Sequence, residues 1–208
     1  DIRDYSAPKN KERKSEYLSL GFTEEQSNTK PATLSAMRSL ISRLSGRKDE
    51  DIPVDKGVCI PDGFIKDDRG VHQEKISFTY ETNDFYFSMG TDNSYVGSNS
   101  TLLSRGEAIE EEQAEAHFHT VKYGKLQPGG IPAQEWLSAG MQRSNHIKGL
   151  FPMYDFTLYA NESIASPTKP WIDVGLSNTD KLSRYSEAQI VEIWDKLVST
   201  IRYRPNAY

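Results

Sequence analysis

A chain of 208 residues with 36% hydrophobic and 11% aromatic residues can bury a core, and its 26% charged residues give it a wetted surface. Residues 1–48 carry 10 basic and 6 acidic side chains, leaving 15 basic against 24 acidic from Asp49 onward, within a formal net charge of −5. That acidic main body argues against nucleic acid and anionic membrane surfaces as partners, and it suits a basic protein surface.

No apolar run reaches the roughly 18 residues of a membrane span, and the charged stretch from Asp1 to Lys14 does not read as a signal peptide. Cys59 is the single cysteine, so no intrachain disulfide is available. Set between Val58 and Ile60, it reads as a small core hydrophobe.

The first predicted element is an amphipathic helix over residues 31–45, with Leu34, Met37, Leu40, Ile41 and Leu44 on one stripe. Gly46 ends it, and the polar run from Arg47 to Asp51 followed by Pro53 predicts a boundary. Residues 1–51 are then the tail of an N-terminal domain, and residues 52–208 form the main domain.

Val58 to Ile60 predicts a strand. Ile76, Phe78 and Tyr80, then Phe85, Phe87 and Met89, alternate with polar residues around a Glu81–Asp84 turn, which predicts an antiparallel hairpin with one buried face. Residues 102–116 predict a helix that Ser100 or Thr101 could cap, bearing Glu107, Glu110, Glu111, Glu112 and Glu115. Further strands are expected at residues 118–123, 156–160 and 171–176. Between them, residues 128–137 combine Pro128, Gly129, Gly130 and Pro132 with Trp136, and read as a turn whose tryptophan packs inside in preference to a partner-facing loop. Ser186 followed by Gln189 is a capping-box pattern, and Ile190, Ile193, Trp194, Leu197 and Ile201 form the stripe of a last helix stopped by Pro205. The fold class is α+β: an antiparallel sheet packed by two helices, one of them C-terminal.

Candidate chemistry is sparse. His117 and His119 flank Phe118 in a predicted strand and would share a face, a spacing metal sites can use, but no third ligand has a telling position. Nucleophile-elbow, phosphate-loop and paired-histidine zinc patterns do not occur, and Asp67 and Asp68 sit in turn-like polar sequence. No catalytic, cofactor or metal residues are therefore assigned. Asn99 and Asn161 head tripeptides that match glycosylation sequons, a pattern common by chance. The one segment singled out for partner binding is the acidic run Glu107, Glu110, Glu111, Glu112 and Glu115, since like charges at helical spacing cost some stability and an exposed acidic face can steer a basic partner.

Three stretches in order carry a family resemblance: Gly57-Val58-Cys59-Ile60-Pro61-Asp62-Gly63-Phe64-Ile65, then Gly129-Gly130-Ile131-Pro132-Ala133-Gln134-Glu135-Trp136-Leu137, then Trp194-Asp195 with Ile201-Arg202-Tyr203-Arg204-Pro205-Asn206-Ala207. Over residues 52–208 the chain resembles the C-terminal domain of class-four immunity proteins directed at type VI secretion lipases. Asn206 stands where that pattern leads one to expect glycine. The resemblance implies a periplasmic, non-catalytic protein that grips a cognate type VI phospholipase effector and occludes its active site. It also implies structural roles for Gly129, Gly130 and Trp194. A structural or adaptor domain of the bacterial envelope, and a hydrolase with an unrecognised site, are the alternative readings.

Overall fold

The computed structural model describes residues 30–48, 50–60, 62–68 and 73–203. Its contacts divide into two compact units, one within residues 1–70 and one within 71–206.

In the first unit, helix α1 (Lys30–Arg43) runs into strand β1 (Leu44–Gly46), and β2 (Gly57–Ile60) and β3 (Gly63–Lys66) follow. All pair antiparallel in the order β1-β3-β2. The position expected for a boundary, after residue 51, falls inside the β1–β2 connection. Because β3 pairs with both neighbours, the chain before and after that point shares one ladder. Arg47 ties the polar run down: its Nε donates to the Gly63 carbonyl (3.0 Å) and its guanidinium reaches the carbonyls of Lys48, Asp51 and Ile60. The expected helix forms but ends at Arg43 rather than at residue 45, because Leu44–Gly46 pair with β3 instead, and Leu34, Met37, Leu40, Ile41 and Leu44 are all exposed. Cys59 is half-buried rather than core, since strands of three and four residues cannot cover it deeply.

The second unit is built on a six-stranded antiparallel sheet in the order β4-β5-β9-β8-β7-β6: β4 (Lys75–Glu81), β5 (Tyr86–Asp92), β6 (His119–Leu126), β7 (Ala133–Gln142), β8 (Phe151–Ala160) and β9 (Trp171–Ser177). The expected β4–β5 hairpin forms, with Phe78 opposite Met89, Tyr80 opposite Phe87 and Glu81 opposite Tyr86, so its turn is residues 82–85 rather than 81–84. Asp84 of its turn is buried, accepting from the Arg184 amide (3.0 Å) and pairing with the Arg184 guanidinium (3.2 Å).

Two expectations are corrected by this sheet. Residues 133–142 are a ten-residue strand between β6 and β8, where the sequence suggested only a turn; the turn itself is the short 3-10 segment Pro128–Gly130. His117 and His119 do not share a strand face, because His117 lies in a turn with φ +58° and only His119 enters β6. His119 instead pairs with Glu187 (3.4 Å), and no cluster of three metal-binding side chains occurs among the described residues.

Helix α2 (Gly106–Glu115) continues a 3-10 turn (Leu102–Arg105), and helix α3 (Glu187–Ser199) ends the described fold. The capping box at Ser186 forms: its Oγ accepts from the Gln189 amide (3.4 Å), while the Gln189 side chain accepts from the Ser186 amide (3.0 Å). The helix stops at Ser199, before the position expected from Pro205. The basic residue in its last turn is Lys196. Pro205 and Asn206 lie outside the described residues.

Cross-strand register sorts the sheet into two faces. One carries Leu137, Phe156, Val174 and Leu176, and α3 seals it with Ile190, Trp194 and Val198. Trp194 is fully buried, meets Phe156 edge-on (5.9 Å, 78°), and donates its indole N–H to Glu135 (2.8 Å). Glu135 in turn binds Lys122 (2.9 Å), which also donates to Asp195 (2.8 Å). Burial alone would lower the Lys122 pKa, but the hydrogen bonds it donates to Asp195 and Glu135 outweigh it and hold the ammonium above its ordinary value.

Gly129 and Gly130 both have positive φ, at +54° and +80°. A Cβ on Gly129 would lie 2.6 Å from the Ile201 carbonyl oxygen, whereas one on Gly130 would meet open space. Gly129→Ala combines left-handed strain of about 1–2 kcal/mol with overpacking of about 1–3 kcal/mol. Gly130→Ala carries the strain alone. Denaturant midpoints should therefore fall clearly further for the first variant than for the second; equal shifts would mean the approach to Ile201 is not tight.

Asn161, head of the second sequon, is buried with φ +59° and donates to the Pro170 carbonyl (2.8 Å) and the Tyr203 hydroxyl (2.5 Å). Its side chain closes the loop after β8.

Candidate partner-binding face

The sheet face opposite α3 differs in character from end to end. Its rows read Gln134, Tyr159, Asp173, Gly90 and Ser77; then Trp136, Thr157, Gly175, Ser88 and Thr79; then Ser138, Asp155, Ser177, Tyr86 and Glu81. Over β7 the face is covered by the 3-10 turn and α2. Leu103 donates its amide to Gln134 (2.8 Å), Gln113 donates to Ser138, and Thr120 donates to the Gln113 carbonyl (2.7 Å). Gly106 starts α2 against the Trp136 ring, where an added Cβ would lie 3.2 Å from a ring carbon. Trp136 is buried and stacks on Tyr123 (4.7 Å, 16°), so the expectation that it packs inside holds on a strand rather than in a turn.

Toward β9, β5 and β4 the residues become small and polar. Ser77, Thr79, Glu81 and Asp155 are exposed, and Ser88, Thr157, Tyr159, Trp171, Asp173 and Gly175 are half-buried. Trp171 packs at a tilt against Tyr95 (5.3 Å, 31°) and Tyr159 (5.2 Å, 52°). At the far side Lys181 spans Glu81 (2.7 Å) and the Tyr86 ring (4.1 Å). Its hydrogen bond lowers the Glu81 pKa.

Where covered meets open, α2 and β8 enclose a recess of about 400 Å³. Its floor is Trp136 and Ser138 with Met153, Asp155, Thr157 and Tyr159. Its wall is Leu102, Arg105, Ile109, Glu112, Gln113 and Ala116, with Phe118 beside them. Arg105 is committed elsewhere: it pairs with the buried Glu162 (2.9 Å), whose other oxygen accepts from the Leu102 amide (2.6 Å). Asp155 is reached by solvent through the mouth, yet the protein mass around it pushes its carboxyl above the ordinary carboxylate range. Asp173, on the neighbouring strand, is raised for the same reason.

All five glutamates singled out from the sequence, Glu107, Glu110, Glu111, Glu112 and Glu115, are exposed on α2. The structure brings only Glu112 to the recess. Asp155, Tyr159 and Trp136 were not singled out as site residues, and no local motif marks them. They meet α2 only through β7–β8 pairing.

An antiparallel sheet sealed on one face by a helix, and bearing on the other an acidic helix beside an open recess, defines a domain of α+β class. The family model for the Tle cognate immunity protein 4 C-terminal domain matches residues 51–206, and the chain belongs to that family. Solved structures agree in fold. The apo immunity protein TplEi of the type VI secretion system of Pseudomonas aeruginosa aligns at 24% identity and TM-score 0.65, over 86% of this chain and 60% of that one. TplEi complexed with "L" peptide aligns at 24% and 0.64, over 84% and 63%. The Tle4–Tli4 complex aligns at 23% and 0.65, over 86% and 61%. The chain thus spans about 60% of the length of these immunity proteins. A search of curated proteins found no match. No helix among the described residues is long and apolar enough to cross a membrane.

Proposed function

We propose that this chain is the effector-binding C-terminal part of a type VI immunity protein. It binds a cognate phospholipase effector in the periplasm and occludes the effector's active site. On this reading residues 52–208 are the family's C-terminal domain and residues 1–51 the tail of the domain before it. The observation that carries the proposal is the family match across three quarters of the chain, joined to the relatives' fold. The protein acts by association, not turnover.

The geometry supports a docking role. The α3 face is closed by core packing, so binding falls to the opposite face, where exposed glutamates stand beside the recess. Those glutamates accelerate encounter with a basic effector surface. Two measurements test this. The intact, exported parent should protect cells whose periplasm receives the phospholipase, and equal killing with and without it would refute the function. Replacing Glu110, Glu111 and Glu112 by lysine should slow association roughly tenfold at low salt and flatten its salt dependence, with little change in dissociation. An unchanged association rate would leave α2 a merely solvated surface.

A further inference from the structure

The recess between α2 and β8 contains a carboxylate with no partner: no described residue donates a hydrogen bond to Asp155 or forms an ion pair with it. The cation nearest in kind, Arg105, is held by Glu162 and by the Ser100 carbonyl. Around Asp155 stand the Trp136 and Tyr159 rings and the apolar side chains of Ile109 and Met153, with Glu112 on the wall. Asp155 is open to solvent at the mouth, and the protein around it raises its carboxyl pKa. Nothing in the packing of the sheet requires an acid there, since the neighbouring positions on this face are served by Thr157 and Ser177.

The chemistry is the complement of one kind of side chain. Lysine and arginine present an apolar stem that fits a sleeve of Ile109 and Met153, a cation that aromatic rings attract, and donors that a carboxylate accepts. The space of about 400 Å³ is ample for one such side chain; Asp155 and Glu112 face it with negative charge, while the Arg105 guanidinium on the wall, which lies over the Tyr159 ring, is offset by Glu162. We propose that this recess is the socket for a lysine or arginine side chain of the effector, with Asp155 accepting its hydrogen bond. The inference rests on the proposed function and deepens it: the α2 glutamates govern the rate of encounter, and Asp155 governs how long the complex lasts.

The test uses the full chain and its cognate phospholipase effector, with association and dissociation followed separately. Asp155→Asn, nearly isosteric, should speed dissociation at least tenfold, leave association within about twofold, and melt no lower than the wild type at neutral pH. Glu192→Gln, exposed on α3 across the sheet, should leave both rates unchanged. Double-mutant cycles with each basic residue of the effector should then find one lysine or arginine whose loss is non-additive with D155N. A D155N dissociation rate within twofold of wild type, in a complex that forms normally, overturns the socket and leaves the immunity function standing. Faster dissociation without coupling to any basic residue overturns the occupant. Failure of the wild-type chain to bind the effector overturns the immunity function, and the socket with it.

Discussion

Trp194→Ala is expected to cost this fold about 3–5 kcal/mol, the range for removing a large aromatic from a packed core. Trp194 is fully buried and sits edge-on to Phe156, itself fully buried, at the centre of the sheet face that α3 covers. Truncation opens a cavity beneath the helix where Ile190 and Val198 cannot collapse inward without unwinding it. The indole also donates to Glu135, a buried carboxylate whose remaining partner is Lys122. Leaving that oxygen unpaired adds to the loss. Trp194→Phe keeps most of the ring but not the N–H, and should lose roughly 1–3 kcal/mol. Against a typical domain stability of about 5–15 kcal/mol, the alanine variant should shift the urea midpoint strongly or fail to fold, while the phenylalanine variant folds. Equal midpoints for wild type and Trp194→Ala would mean that α3 does not seal the core.

Asn178→Ala should rank next. The side chain is entirely buried and uses three of its hydrogen-bonding positions: Oδ1 accepts from the Tyr154 amide (2.7 Å), and Nδ2 donates to the carbonyls of Pro152 (2.9 Å) and Lys181 (3.0 Å). Its own carbonyl accepts from Gln142 (3.1 Å), whose oxygen accepts from the Asp180 amide (3.0 Å). Asn178 therefore latches the end of β7, the start of β8 and the connection from β9 to α3. Alanine leaves the Tyr154 amide and the Lys181 carbonyl unpaired, while the Pro152 carbonyl keeps only the Gln142 donor (3.3 Å); at about 1–3 kcal/mol per unpaired group, partly relieved by water, a loss of roughly 3 kcal/mol is expected. Asn178→Asp makes a sharper check, because a carboxylate would face two carbonyl oxygens. Burial raises that acid's folded pKa above its unfolded value, so stability should recover as pH falls through the folded value, where a protonated carboxyl can donate once more. Stability of N178D that instead rises with pH would rule out the latch geometry.

Both residues illustrate where the sequence speaks and where it is silent. The last helix was legible because its signals are local: Ser186 and Gln189 three apart close a capping box, and Ile190, Trp194 and Leu197 recur at helical spacing. The β4–β5 hairpin was legible because one of its faces is wetter than the other, so Ile76, Phe78 and Tyr80 alternate with polar residues. The same physics hid β7. Trp136 lies under α2 while Glu135 and Leu137 lie toward α3, and with both faces covered no alternation survives for a reader to find. Asn178 and Asn161 look like ordinary loop residues until the carbonyls they serve arrive from elsewhere in the chain.

For function, the sequence by itself determined the family, through three separated stretches in order, and the exposed acidic run on α2, because a helix face that carries Glu107, Glu110, Glu111, Glu112 and Glu115 has nowhere to turn but to solvent. Only the tertiary structure decided that this helix lies over the sheet face opposite α3, and that Ile109 and Glu112 meet Asp155 and Tyr159 across a recess. In sequence Asp155 is one polar residue in the alternation of a strand between Tyr154 and Phe156. Its lack of a partner is a property of the neighbours that β7–β8 pairing and α2 bring to it, and long-range neighbours leave no trace in local spacing.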